Sequence, residues 1–194
     1  MTNMINFIHK AIEESINVKD CILNDKDFHN KIEQAIDICV DSLRNDGTIW
    51  FAGNGGSAAD AQHLAAELSG RFNLDRKSLR AEALHVNSSF LTAVANDYGY
   101  NMVYSRLLEG CARKNDVLVA ISTSGDSRNV VEAAKLAREL NLRVISFTGD
   151  SGGDLRSLSD VLLNVPSNNT ARIQECHILL GHILCENIER ELFP

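Results

Sequence analysis

The chain has 194 residues, 44% hydrophobic and 23% charged, a balance that fits one folded domain with a sizeable core and excludes collagen-like, mucin-like and wholly disordered classes. With 19 Lys+Arg against 26 Asp+Glu the net charge is −7, so the chain lacks the basic field that nonspecific phosphate-backbone binding needs, and no nucleic-acid partner is expected. Neither a secretory pattern nor a run of 18 apolar residues occurs, and the five cysteines (Cys21, Cys39, Cys111, Cys176, Cys185) form no C-x-x-C pair. The expectation is a cytoplasmic, non-membrane protein whose cysteines are buried free thiols.

Residues 3–24 place Ile5, Ile8, Ile12, Ile16 and Val18 at three- and four-residue intervals, and Phe28, Ile32, Ile36, Cys39, Val40 and Leu43 repeat the pattern. Two amphipathic helices are predicted in residues 1–46. Their apolar face is broad for the core that remains, which points to a subunit partner.

From Thr48 the period changes. Thr48-Ile-Trp-Phe-Ala, Asp116-Val-Leu-Val-Ala-Ile, Leu142-Arg-Val-Ile-Ser-Phe-Thr and Asp160-Val-Leu-Leu-Asn-Val read as buried parallel strands, with Ala81-Glu-Ala-Leu-His-Val a weaker fifth. Helical patterns lie between them at 57–69, 90–95, 100–111 and 127–140, and a last helix is predicted over 170–192. This alternation predicts an α/β doubly wound, mainly parallel five-stranded sheet in residues 47–194, preceded by the helical arm.

Two loops follow predicted strands and open predicted helices. Gly53-Asn-Gly-Gly-Ser can bring the backbone N–H groups of Asn54, Gly55, Gly56 and Ser57 close to an anion, with Ser57 expected as the helix N-cap. It is neither a dinucleotide fingerprint, since Ala58 stands where the third glycine belongs, nor a P-loop, since no lysine follows. Ile121-Ser-Thr-Ser-Gly-Asp-Ser offers the hydroxyls of Ser122, Thr123, Ser124 and Ser127, which suit a small phosphosugar that must be released after turnover.

His63 and Glu67 stand four residues apart on the helix that the glycine loop opens, roughly 40° apart around its axis. Gln174 and His182 stand eight apart on the last helix, about 12 Å along the axis and about 80° around it. Glu175, His177, His85, His9, His29 and Trp50 read as core or surface residues.

Taken together, Gly53-Asn-Gly-Gly-Ser, Asp60-Ala-Gln-His-Leu-Ala-Ala-Glu-Leu, Ala95-Asn-Asp-Tyr-Gly, Ile121-Ser-Thr-Ser-Gly-Asp-Ser and Ala171-Arg-Ile-Gln-Glu-Cys-His resemble the phosphoheptose isomerases of the sugar isomerase (SIS) domain family over nearly the whole chain. The resemblance implies a cytoplasmic homotetramer with sites between subunits. It would interconvert sedoheptulose 7-phosphate and D-glycero-D-manno-heptose 7-phosphate through an enediol, the first step toward activated heptoses for surface polysaccharide. It also implies Glu67 as the base and His182 as the acid, Asn96 and Asp97 as sugar-hydroxyl contacts, Glu67 and Gln174 in contact with substrate, and one zinc ion held by His63, Glu67, Gln174 and His182. Ala171 stands where some members carry an acidic residue before Arg172, which touches a subunit-crossing contact and not the chemistry. A paralogous class with the same fold binds the initiator DnaA and catalyses nothing, but its counterparts of Glu67 and His182 cannot transfer a proton.

Overall fold

The computed structural model describes residues Thr2–Pro194; Met1, included in the expected 1–194 domain, lies outside them. Strands β1 (Ile49–Gly53), β2 (Ala81–Ala83), β3 (Val117–Ile121), β4 (Arg143–Thr148) and β5 (Val161–Asn164) form one sheet in the order β2-β1-β3-β4-β5. Every pairing is parallel, as the apolar runs predict. Alternate residues serve opposite faces. Phe51, Val119, Ile145 and Phe147 pack beneath α2 (Lys26–Arg44), α3 (Gly56–Ser69) and α7 (Thr170–Leu192). Ala52, Leu118, Ala120 and Val144 pack beneath α4 (Ser88–Tyr98), α5 (Val103–Cys111) and α6 (Arg128–Glu139).

The starts of the two central strands are tied by one carboxylate. Buried Asp116 accepts from Thr48 N at 2.7 Å, Trp50 Nε1 at 2.8 Å and Arg113 N at 2.9 Å. Removing it would strand these donors, at about 1–3 kcal/mol for each that stays dry. Trp50 is therefore a framework residue, as read from the sequence.

The helical arm is α1 (Thr2–Leu23) and α2, which Asp25 caps by accepting from Asp27 N and Phe28 N. Helix α1 leaves Ile5, Ile8, Ile12 and Ile16 more than half exposed.

Several expectations are corrected. The edge strand β2 stops at Ala83 rather than Val86, because its pairing with β1 runs only from Ile49 to Phe51 and the chain then turns to Asn87, the N-cap of α4. The helix expected over 100–111 is a 3₁₀ turn, Tyr100–Met102, followed by α5, since Gly99 (φ 88°) ends α4. All five cysteines are free, but only Cys39, Cys176 and Cys185 are buried; Cys21 and Cys111 lie on solvent-facing helical positions.

Candidate active site

The strand order reverses at β1, whose neighbours are β2 on one side and β3 on the other, and in an open α/β sheet that switch point forms a crevice at the carboxyl ends of the strands. Gly53 pairs with Ile121 in register. The glycine loop and the serine loop therefore leave the sheet side by side, at the mouth of this crevice.

In the glycine loop the helix cap falls on Gly55 (φ 55°, ψ −120°), not on Ser57. Gly55 O accepts from Ala58 N and Ala59 N, so the cap lies two residues earlier than expected and Ser57 lies buried in the first turn of the helix. Asn54 and Asn129 exchange a reciprocal pair of amide hydrogen bonds, 2.8 and 2.9 Å, joining the loop to the start of α6. The hydroxyls of Tyr100 and Tyr104 each donate to Asn54 Oδ1 at 3.3 Å, and Tyr104 also donates to Gly53 O. Asn129, Tyr100 and Tyr104 escape sequence reasoning; a buried asparagine among the valines that open α6 is the one signal that could have exposed them.

In the serine loop Ser122 Oγ lies 2.9 Å from Ser127 Oγ and 3.4 Å from Ser124 Oγ, so three of the four expected hydroxyls converge. Ser127 stands at the N-cap of α6, but its carbonyl takes the Val130 and Val131 amides and its hydroxyl stays with Ser122. The loop is fastened to β4 by Ser122 N on Phe147 O and by Gly149 N on Thr123 O. The geometry is a small cup of hydroxyls at the N-terminus of a 12-residue helix, suited to an anionic oxygen cluster.

Helix α7 runs beside α3 in the same direction. At its start the amide of Gln174 packs over Gly56, so closely that a Cβ on residue 56 would lie 2.6 Å from Gln174 Nε2. Further along, His182 Nε2 comes within 3.1 Å of His63 Nε2, which in turn lies 3.2 Å from Glu67 Oε1. The His63, Glu67 and His182 ligand atoms all lie within 4.8 Å of one another. The ring of Phe72 stacks on His182, centroids 5.6 Å apart and planes 22° apart.

Asp60, one turn before His63 on the same face of α3, joins this group. Burial raises its carboxyl above the usual range, while the charges of His63 and His182 pull it back. The i, i+3, i+7 spacing of Asp60, His63 and Glu67 was the legible signal for it.

This donor set fits a divalent cation of the zinc type. Two ligands at ~2.1 Å on a tetrahedral ion stand roughly 3.4 Å apart, close to the separations found here, and imidazole with carboxylate is a donor combination that zinc accepts. Asn96 and Asp97 lie exposed at the end of α4, where Asn96 Nδ2 donates to Asp97 Oδ1 at 2.8 Å; among the described residues they make no side-chain hydrogen bond to either loop. His177 is fully buried on α7, its Nε2 3.1 Å from Thr148 O, in line with a core reading.

Comparison with known proteins places the chain in a family. The SIS domain family matches residues 18–149. The chain is 46% identical over 190 residues to a phosphoheptose isomerase of Sulfurimonas denitrificans, covering 98% of this chain and 97% of that one. It is 53% identical over 180 residues to a phosphoheptose isomerase of Mycobacterium tuberculosis, covering 93% and 92%. The solved structure of a phosphoheptose isomerase from Neisseria gonorrhoeae superposes with a TM-score of 0.90 at 44% identity, covering 96% of this chain and 99% of that one.

Proposed function

The chain belongs to the SIS domain family, within its phosphoheptose isomerases, and from that premise we propose the roles its residues take in converting sedoheptulose 7-phosphate to D-glycero-D-manno-heptose 7-phosphate. The observation that carries the reading is the meeting of Glu67 and His182, from two helices, with His63 between them, on the helix that the glycine loop opens.

An aldose–ketose interconversion moves one proton between neighbouring carbons and another between their oxygens. The Ser122, Thr123, Ser124 and Ser127 hydroxyls, with the Asn54, Gly55, Gly56 and Ser57 backbone, hold the phosphate. Asn96, Asp97 and Gln174 take sugar hydroxyls. Glu67 removes the proton from C1 of the ketose and returns it to C2, while His182 serves the oxygens. His63, Glu67 and His182 would hold a zinc ion, with Gln174, about 12 Å along α7 from His182, as the expected fourth ligand, and the ion would supply Lewis-acid polarisation of a carbonyl oxygen.

The exposed apolar row Ile5, Ile8, Ile12 and Ile16 supports use of the arm, residues 1–46, in a homotetramer built on one domain spanning 1–194. No helix among the described residues is long and apolar enough to cross a membrane, and the setting proposed is the cytoplasm, where the product enters activated-heptose synthesis for surface polysaccharide. A non-catalytic DnaA-binding role would require neither Glu67 nor His182, so their meeting favours the enzyme.

The test is incubation with sedoheptulose 7-phosphate in D₂O followed by NMR. Aldose carrying deuterium at C2 is expected. Absence of aldose would overturn the function, and aldose wholly protiated at C2 would overturn the enediol route in favour of a hydride shift.

A further inference from the structure

Residues 70–80, between α3 and β2, have no regular secondary structure, yet their polar groups converge on one buried point. The carboxylate of Glu189, 1% exposed on α7, accepts from Phe72 N at 3.0 Å, Asn73 N at 2.8 Å, Leu74 N at 3.1 Å and Arg76 Nε at 2.8 Å. Burial works against its charge, but the three amides and the guanidinium outweigh it and hold the carboxyl below its usual range. Arg76, whose side chain is 3% exposed, also donates to the carbonyls of Glu67, Leu68, Gly70 and Lys77. It thereby satisfies carbonyls that the last turn of α3 would otherwise leave unpaired.

One ion pair therefore joins three parts: the end of the helix that carries Glu67, the irregular segment, and the helix that carries His182 two turns earlier. What it holds in place is Phe72. The phenyl ring stacks on the His182 imidazole with centroids 5.6 Å and planes 22° apart, and the His63 ring meets that imidazole edge-on, ring centroids 5.3 Å apart and planes 72° apart. An imidazole on an open helix face would sample several χ1 and χ2 wells; here the two neighbouring rings flank the one in which Nε2 points at His63.

We propose that Phe72 is a positioning residue for the isomerisation: it holds His182 in the ring orientation that proton transfer requires, and the Arg76–Glu189 pair anchors it there. This rests on the reading of His182 as the acid. Its orienting partner is thus an apolar ring face supplied by a loop, in addition to any hydrogen bond that His182 makes.

The experiment compares Phe72→Leu, which keeps apolar volume and loses the flat face, with Phe72→Tyr, which restores the face. Phe72→Leu is expected to lower kcat for sedoheptulose 7-phosphate by about 10- to 100-fold, the scale of a misplaced catalytic group. Its KM should stay within about twofold, because the phosphate loops are untouched. NMR of the protein labelled in its 6 histidines gives a second readout, with the His182 signal identified by its loss in His182→Asn. The His182 ring-proton resonance should move downfield in Phe72→Leu as the ring-current shielding disappears, and Phe72→Tyr should recover both kcat and resonance.

Wild-type kcat or an unshifted resonance in Phe72→Leu would overturn the proposal, as would a Phe72→Tyr variant no better than Phe72→Leu. Turnover by His182→Asn separates the two levels. If that variant is wild-type, the assignment of the acid falls and the proposal with it. If it is inactive while Phe72→Leu is fully active, the positioning role alone falls.

Discussion

Leu64 fills the space that a side chain at Gly181 would need: a Cβ on residue 181 would lie 2.4 Å from Leu64 Cδ1 and 2.6 Å from Cδ2. These two residues precede or follow the site groups directly, Leu64 after His63 and Gly181 before His182. Their close packing sets the separation of α3 and α7 at the level where the two imidazoles, 119 residues apart in sequence, come within 3.1 Å.

Gly181→Ala tests that spacer role. Alanine gains about 1 kcal/mol of helix propensity, but overpacking a core costs about 1–3 kcal/mol, and Leu64 is fully buried. The expected result is a lower melting temperature together with reduced turnover, read by thermal denaturation and a steady-state assay. A raised melting temperature with unchanged turnover would mean that Leu64 gives way and that Gly181 sets no spacing.

Zinc is expected to stabilise the protein through His63, Glu67 and His182. A ligand at about 100 times its Kd adds about 2.7 kcal/mol, or roughly 5–10 °C in a chain of this size. Chelated protein titrated with zinc should show that rise by calorimetry, and His63→Ala should abolish most of it. Activity should fall on chelation and return with zinc. An identical rise in His63→Ala would place the ion elsewhere.

His177 carries a pH prediction. Burial penalises its cation and lowers its pKa to about 4, against an ordinary value of 6.5, with the Thr148 carbonyl opposing only in part. The folded chain therefore binds fewer protons than the unfolded chain between these two values, so stability declines as pH falls from about 6.5 to about 4, by up to about 3 kcal/mol from this one group. Urea unfolding at pH 7 and pH 5 should show a smaller difference in His177→Gln than in the parent. Equal pH dependence in the two proteins would remove His177 from the account.

The sheet was legible because both its faces are covered, so β1, β3, β4 and β5 each read as short apolar runs. Only the edge strand β2 lost its second half, where no partner continues. Both loops were legible from glycine and hydroxyl spelling after a strand, although Gly55 took the cap expected of Ser57, a choice set by a positive φ that composition alone does not reveal. His63 and Glu67 show their relation through helical spacing. Their meeting with His182 depends on which faces α3 and α7 share, and no period in either helix states that. Residues 70–80 were illegible for the same reason: Phe72, Asn73, Leu74 and Arg76 take their meaning from Glu189, more than 110 residues away.

The central claim is that Glu67 transfers the carbon-bound proton, and turnover of Glu67→Gln measures it most directly. The substitution keeps the size of the side chain and removes its basicity. The account predicts that kcat for sedoheptulose 7-phosphate falls by at least ~10²-fold, the lower range for loss of a general base, in a variant whose circular dichroism and oligomeric state match the parent. Wild-type turnover in that folded variant would contradict it and assign the proton transfer to another group.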